Sequence, residues 1–246
     1  MTQKIKAIFF DLGDTLINFT STEYNKLFFA GAENAYKYLQ NQELKLPSKK
    51  RYTFMHWFAI RWHLVKSFFS KREFNSRNVM QQCCEKLGIP HNDKLVLELC
   101  WQFYIPLMKT AKVETGLHDL IDDLNSRDIK ICIVSNTFVP GEILDRHLAS
   151  EGLLEKFPNR VYSCDVGIRK PKRKIFEIAC EKMQTPAENV LFVGDKVKYD
   201  VKGANRVGMT SILKDPAGRA KNPKPKPDFI VKSLTELTSL LDQINS

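Results

Sequence analysis

Hydrophobic and polar positions divide the chain into stretches of different period. It opens with a short apolar run, residues 4–10, closed by Asp11-Leu12-Gly13-Asp14-Thr15. A run this short, rich in Ile and Phe and stopped by Asp and Gly, predicts a buried strand ending in a tight turn. From residue 22 the period becomes helical. Helices are predicted over 22–42, with Ser21 or Thr22 as N-cap, over 52–70, over 75–87, and from Asn92 or Asp93 through Leu107. Nothing from 22 to about 112 reads as a strand, so this stretch is expected to be an all-helical insert, a small bundle.

From residue 113 apolar runs alternate with helical patterns. Runs at 129–134, 160–163, 190–193, 210–213 and 228–231 are interleaved with helices over 117–126, 141–151, 173–183, 200–207 and 234–244. Alternation at this spacing predicts an α/β fold, a doubly wound parallel sheet with helices on both faces. The expected division is a Rossmann-like core of residues 1–16 and 113–246, with the helical domain of residues 17–112 inserted.

The second insert helix is unusually aromatic. At about 100° per residue, Phe54, Trp57, Phe58, Ile60, Trp62, Leu64, Val65, Phe68 and Phe69 spread over one broad apolar face, with Arg61 near its middle. Packing of a helical bundle predicts that this face is buried. Arg61 then either pairs with an insert carboxylate such as Glu23 or Glu33, or looks down on the site to read a substrate anion. A further reading lays the basic, aromatic helix on a membrane surface; the bundle's demand for core weighs against it.

Composition changes this picture little. The 246 residues, 43% hydrophobic and 27% charged, are those of an ordinary globular protein. The net charge of +10 invites nucleic acid or anionic membranes as partners. Much of it lies in scattered lysines and the loop 221–227, however, and no nucleic-acid-binding motif accompanies it. Six cysteines without a CxxC pair or a histidine at ligand spacing predict free thiols in a reducing, cytoplasmic setting. The apolar run before Asp11 is too short for a signal segment or a membrane span. No histidine has partner spacing for catalysis.

Three strand runs end in polar groups: Phe10 into Asp11, Val134 into Ser135, and Val193 into Gly194-Asp195. In a parallel sheet these ends share one edge, where ligands bind. Two carboxylates brought together repel and need a cation, and ligands that are all oxygen suit Mg²⁺. Lys170 supplies a second positive charge.

At these residues the chain resembles the haloacid dehalogenase superfamily, whose members are mostly phosphohydrolases. The resemblance rests on FFDLGDTL around Asp11, IVSNT around Ser135, RKPKRKIFEIA around Lys170, and FVGDKVKYDVKGANRVGM around Asp195 and Asp200. It implies Asp11 as nucleophile forming an aspartyl-phosphate, with Ser135 holding the phosphoryl group and Lys170 neutralising it. It further implies Asn136 near the phosphoryl site, and Mg²⁺ held by Asp11, the Gly13 carbonyl and Asp195. Asp200 would ligate the ion or orient its waters, and the insert would be a mobile cap. The implied substrate is a small phosphorylated metabolite.

One position departs from the pattern. Family phosphatases usually carry a second Asp two residues after the nucleophile, as general acid and base; here that residue is Gly13, and an acid follows one place later as Asp14. A one-residue shift in a turn points the side chain elsewhere, and capping the turn is the simpler role for Asp14. Slow turnover is expected, since a placed acid is worth roughly 10²–10⁴ in rate. Two alternatives stand beside the phosphatase: a catalytically weak member kept for binding, and a haloacid dehalogenase, against which the Gly194-Asp195 pair speaks.

Overall fold

The structure, a computed structural model, describes residues 5–70 and 72–245. Lys4, at the head of the first apolar run, lies outside the described residues. Strand β1 (Ala7–Phe10) sits at the middle of a six-stranded sheet, flanked by β4 (Lys130–Ser135) and β6 (Val190–Gly194). Beyond β4 lies β5 (Arg160–Tyr162); beyond β6 lie β7 (Thr210–Lys214) and β8 (Phe229–Val231), and every pairing is parallel. The chain thus runs outward on one side of β1, returns across it, and runs outward on the other side. β1 is the switch point, the place where such sheets open a crevice.

Side chains alternate across a strand, so β1 serves two cores. Ile8 and Phe10 pack into a cluster with Leu120 and Ile121 of α5 (Leu117–Ser126), Leu148 of α6 (Gly141–Ser150) and Leu241 of α10 (Leu237–Asn245). Ala7 and Phe9 face Ile175, Phe176 and Ala179 of α8 (Arg173–Met183) and Ala204 of α9 (Lys202–Val207). Burial on both faces explains why the run is apolar throughout rather than alternating. A short helix, α7 (Ser163–Val166), follows β5 and begins on Ser163, which the apolar pattern places at the end of the strand run.

The insert contains α1 (Tyr24–Gln40), α2 (Lys49–Ser70), α3 (Ser76–Leu87) and α4 (Asp93–Met108). Helices α1 and α4 approach closely at Gly31, where a Cβ would lie 2.5 Å from the Phe103 carbonyl oxygen. The insert joins the sheet through a two-stranded antiparallel ribbon, β2 (Ile17–Phe19) with β3 (Ala111–Val113). This corrects the expectation that nothing from 22 to about 112 forms a strand, since β3 begins at Ala111. Three residues per strand are too few for a period to register, and only the pairing across more than ninety residues defines them.

Helix α2 overturns a second expectation. Its broad aromatic face is turned outward, with Phe54, Phe58, Trp62, Val65, Phe68 and Phe69 exposed. The buried side carries Tyr52, His56 and Ser67. The Tyr52 ring packs on Tyr36 at 5.4 Å and the His56 ring on Phe103 at 5.5 Å. The helix is apolar nearly all round, so its composition could not say which side faces in.

Two buried histidines make stability depend on pH. Burial lowers His56 and His147 to about 4, well under the ordinary imidazole value. His56 Nδ1 lies 2.9 Å from the Tyr52 carbonyl and His147 Nδ1 2.8 Å from the Tyr104 hydroxyl. Because the unfolded chain binds protons at these sites first, their stabilisation is complete above about pH 6.5 and is lost as pH falls toward 4, by ~1–2 kcal/mol each between pH 7 and pH 5. Asp200, raised by burial to about 6, works in the opposite direction and offsets part of this loss. Urea unfolding at the two pH values should show the net decrease, and His56→Gln/His147→Gln should remove it.

Candidate active site

The register of β1 places Phe10 between Ile133 of β4 and Val193 of β6, so Asp11 emerges between the ends of those strands. Its amide donates to the Val193 carbonyl at 2.9 Å. Lys170 comes from the loop preceding α8 and is buried. Its Nζ donates to Asp11 Oδ1 at 2.7 Å and to the Val134 carbonyl at 2.8 Å, and meets Asp200 Oδ1 at 2.7 Å. Burial would lower the lysine, but Asp11 and Asp200 outweigh it and hold the ammonium above its ordinary value.

Asp195 follows the last residue of β6, and Asp200 lies on the π-helical turn Val197–Val201. Gly194 lets this turn fold back on the strand: a Cβ there would fall 2.4 Å from the Asp200 carboxyl carbon. The Lys196 amide donates to Asp200 Oδ2 at 2.9 Å. Ligand oxygens of Asp11, Asp195 and Asp200 all lie within 4.8 Å of one another. Burial raises Asp195, opposed by its hydrogen bond to Lys196 and reinforced by Asp11. Burial raises Asp200 to about 6, opposed by Lys170 and reinforced by Asp11. Asp195 Oδ1 is buried with no hydrogen-bond partner among the described residues. A buried carboxylate oxygen left in that state is costly unless a cation meets it.

Ser135 ends β4, buried, at the same edge. Asn136, expected at the phosphoryl site, instead grips Lys170 from both sides of the amide: its Nδ2 donates to the Lys170 carbonyl at 3.0 Å and its Oδ1 accepts from the Lys170 amide at 2.8 Å. That geometry makes it a positioning residue for the lysine. Arg61, for which the sequence leaves open pairing with Glu23 or Glu33 and reading a substrate anion, is exposed; it donates to Asn25 Oδ1 at 2.7 Å and stacks its guanidinium over Trp57 at 5.2 Å. It does line an open cavity of about 780 Å³ whose walls come from α1 to α4 and from Phe138 and Val139, three and four residues beyond Ser135.

The turn after Asp11 is closed by the Leu12 carbonyl, which accepts from Leu16 and Ile17. Asp14 adopts a left-handed φ of 57°, and its side chain accepts from the Phe19 amide and faces Lys196 at 3.6 Å. It therefore caps the turn, as the one-residue shift implied.

Two networks escaped the sequence reading. Lys214, at the end of β7, buries its ammonium against Glu114 at 2.6 Å and the Thr15 carbonyl at 2.9 Å, with Asn18 at 3.3 Å. It thereby ties the β2–β3 ribbon to the sheet. A lysine closing an apolar strand at the polar edge was the available signal. Lys214→Met would strand the Glu114 charge and should cost about 3–5 kcal/mol in urea unfolding, with Lys214→Met/Glu114→Gln recovering much of it. The second network joins the insert to the loop carrying Lys170: Arg169 meets Glu73 at 3.2 Å and Ser67 at 3.1 Å, and Ser163 donates to Glu73 at 2.9 Å. Its members lie about ninety to a hundred residues apart, beyond any local pattern.

Comparison with known proteins bears on this geometry. The family model for haloacid dehalogenase-like hydrolases matches residues 5–208. Over 144 residues the chain is 28% identical to the pyrimidine 5'-nucleotidase PynA of Streptococcus pneumoniae, covering 58% of this chain and 59% of that protein. The chain thus spans less than two thirds of that relative's length. Over 208 residues it is 25% identical to the glyceraldehyde 3-phosphate phosphatase of Pyrococcus abyssi, covering 85% and 80%. Among solved structures, the 2-haloacid dehalogenase of Pseudomonas syringae superposes with a TM-score of 0.67 at 20% identity, over 98% of this chain and 99% of the other, a likeness of fold.

Proposed function

The chain belongs to the haloacid dehalogenase-like hydrolase family, and on that premise we propose that it is a Mg²⁺-dependent phosphohydrolase of a small phosphorylated metabolite. The observation that carries this reading is the Lys170 ammonium, 2.7 Å from both Asp11 and Asp200, beside the orphaned Asp195 oxygen. Three clustered carboxylates outnumber the charges of Lys170 and Lys196, and a hard dication with oxygen ligands fits the surplus. Asp11, the Gly13 carbonyl and Asp195 would hold Mg²⁺, with Asp200 ligating it or orienting its waters. When bound, the ion would neutralise phosphoryl oxygens and polarise the phosphorus.

Asp11 acts as nucleophile. Lys170 occupies its Oδ1, which leaves Oδ2 to attack phosphorus in line with the departing alcohol. The new Oδ2–P bond forms as the P–O bond to the alcohol breaks, giving an aspartyl-phosphate. Water then attacks the phosphorus and releases Asp11 and inorganic phosphate. Lys170 and the Ser135 hydroxyl hold the phosphoryl oxygens through both steps, and Asn136 fixes the Lys170 backbone. With glycine at position 13, the leaving alkoxide takes its proton from water, so turnover is slow.

Residues 17–112 serve as the cap over a core of residues 1–16 and 113–246, with the β2–β3 ribbon as hinge, and Arg61 in the cavity wall meets a second polar or anionic part of the substrate. The phosphatase and nucleotidase relatives support phosphoryl transfer over dehalogenation. Gly13 favours one second reading, a weakly catalytic member kept for binding. EDTA is expected to abolish phosphate release from p-nitrophenyl phosphate and added Mg²⁺ to restore it; release that persists in EDTA would remove the metal-dependent mechanism. A broad phosphometabolite panel without turnover, despite demonstrated Mg²⁺ binding, would favour the binding role.

A further inference from the structure

We infer that the outward ridge of α2 docks the protein on anionic lipid surfaces, with the helix lying in the plane of the membrane. The inference is independent of the hydrolytic reading. Phe54, Phe58, Trp62, Val65 and Phe69 recur at steps of four, four, three and four, which draws one straight ridge along the helix. They are 66%, 55%, 59%, 52% and 77% exposed. The opposite side of the helix carries the buried Tyr52, His56 and Ser67, so the ridge does not face the bundle. Among the described residues, the ring contacts of these exposed aromatics are with neighbours on the same helix: Phe54 stacks on Phe58 at 6.4 Å and Phe68 meets Phe69 edge-on at 5.5 Å. A contiguous apolar strip of this kind marks an interaction surface rather than ordinary scatter.

Charge identifies the occupant. From residue 44 to residue 72 the sequence contains eight Lys and Arg and no Asp or Glu. By helical spacing Lys50 and Lys66 fall on opposite flanks of the ridge and Arg51 at its N-terminal end, all exposed. Aromatic residues with flanking cations, on a helix of 22 residues or about 33 Å, suit the boundary between headgroups and acyl chains. A second copy suits it poorly, because ridge-to-ridge contact would bring two such basic segments together with no acid in either. No described helix is long and apolar enough to cross a membrane, so the helix lies on the surface.

The test is co-sedimentation of the full chain with phosphatidylcholine vesicles, with and without about one-third phosphatidylglycerol, together with the solution mass by light scattering. Binding is expected to the anionic vesicles only, and to fall in ~0.5 M NaCl. Phe58→Ser/Trp62→Ser/Phe69→Ser and Arg51→Glu/Lys66→Glu should each weaken it about tenfold or more while leaving p-nitrophenyl phosphate hydrolysis unchanged. Equal partition to neutral and anionic vesicles, no partition to either, or undiminished binding by both variants would overturn the inference. A dimer that the triple variant splits, without vesicle binding, would assign the ridge to a second copy instead. The wild-type vesicle comparison decides the matter even if a variant fails to fold.

Discussion

Asp11→Asn should reduce phosphate release from p-nitrophenyl phosphate by at least about 10⁴-fold while leaving the fold intact. The amide is nearly the same size as the carboxylate it replaces, so the main loss is chemical. Asparagine removes the attacking oxygen and one of the two anions paired with Lys170. The ammonium keeps Asp200 and the Val134 carbonyl as partners, so the site should remain closed and the unfolding midpoint should move far less than the rate. Rapid-quench labelling with a radioactive phosphate ester would add a second readout, because wild type should trap label on the protein and Asp11→Asn should not. Residual activity within tenfold of wild type would eliminate Asp11 as the nucleophile.

Gly13→Asp should accelerate the enzyme, a rare outcome for a substitution next to a nucleophile. The backbone allows it: a Cβ on Gly13 would meet only the edge of the Phe19 ring, at 3.7 Å, an ordinary contact, and φ at this residue is not left-handed. The turn itself is held by Leu12 and by the Asp14 cap, which the change does not touch. An acid placed there could protonate the leaving oxygen and then deprotonate water, steps worth roughly 10²–10⁴ in rate when well placed. The gain should be large for alkyl phosphates, whose alkoxides leave poorly, and small for p-nitrophenyl phosphate, whose phenolate leaves without help. Measuring kcat for both esters separates this from a general change in the site. An equal gain on both, or none on either, would show that leaving-group protonation is not what limits the natural protein.

The alternation of strand and helix was readable in the residues, and so was the shared edge where Asp11, Ser135 and Asp195 meet. Each run ends in a polar group at the place where the sheet topology must bring the ends together. The partner of each side chain was not readable. The Asn136 amide could serve a substrate or a backbone, and only the position of Lys170, 34 residues on, shows that it serves the backbone. The β2–β3 ribbon is invisible in either strand alone, since its register is a property of the pair. For α2 the apolar positions were identified, but the side that packs was not. A helix apolar around most of its circumference gives no preferred side, and tertiary contacts to Tyr36 and Phe103 decide it.

The Lys214 pin also sets an order of events during synthesis. Residues 17–19 and 111–113 of the ribbon leave the ribosome with the whole helical insert between them, and the helices can pack while the rest of the chain is still being made. Glu114 and the Thr15 carbonyl then wait for a cation that is encoded 100 residues after the first and 199 after the second. Until β7 emerges, the joint between ribbon and sheet lacks this pin. A nascent chain arrested before residue 214 should therefore expose this joint to protease, whereas one arrested beyond it should protect it.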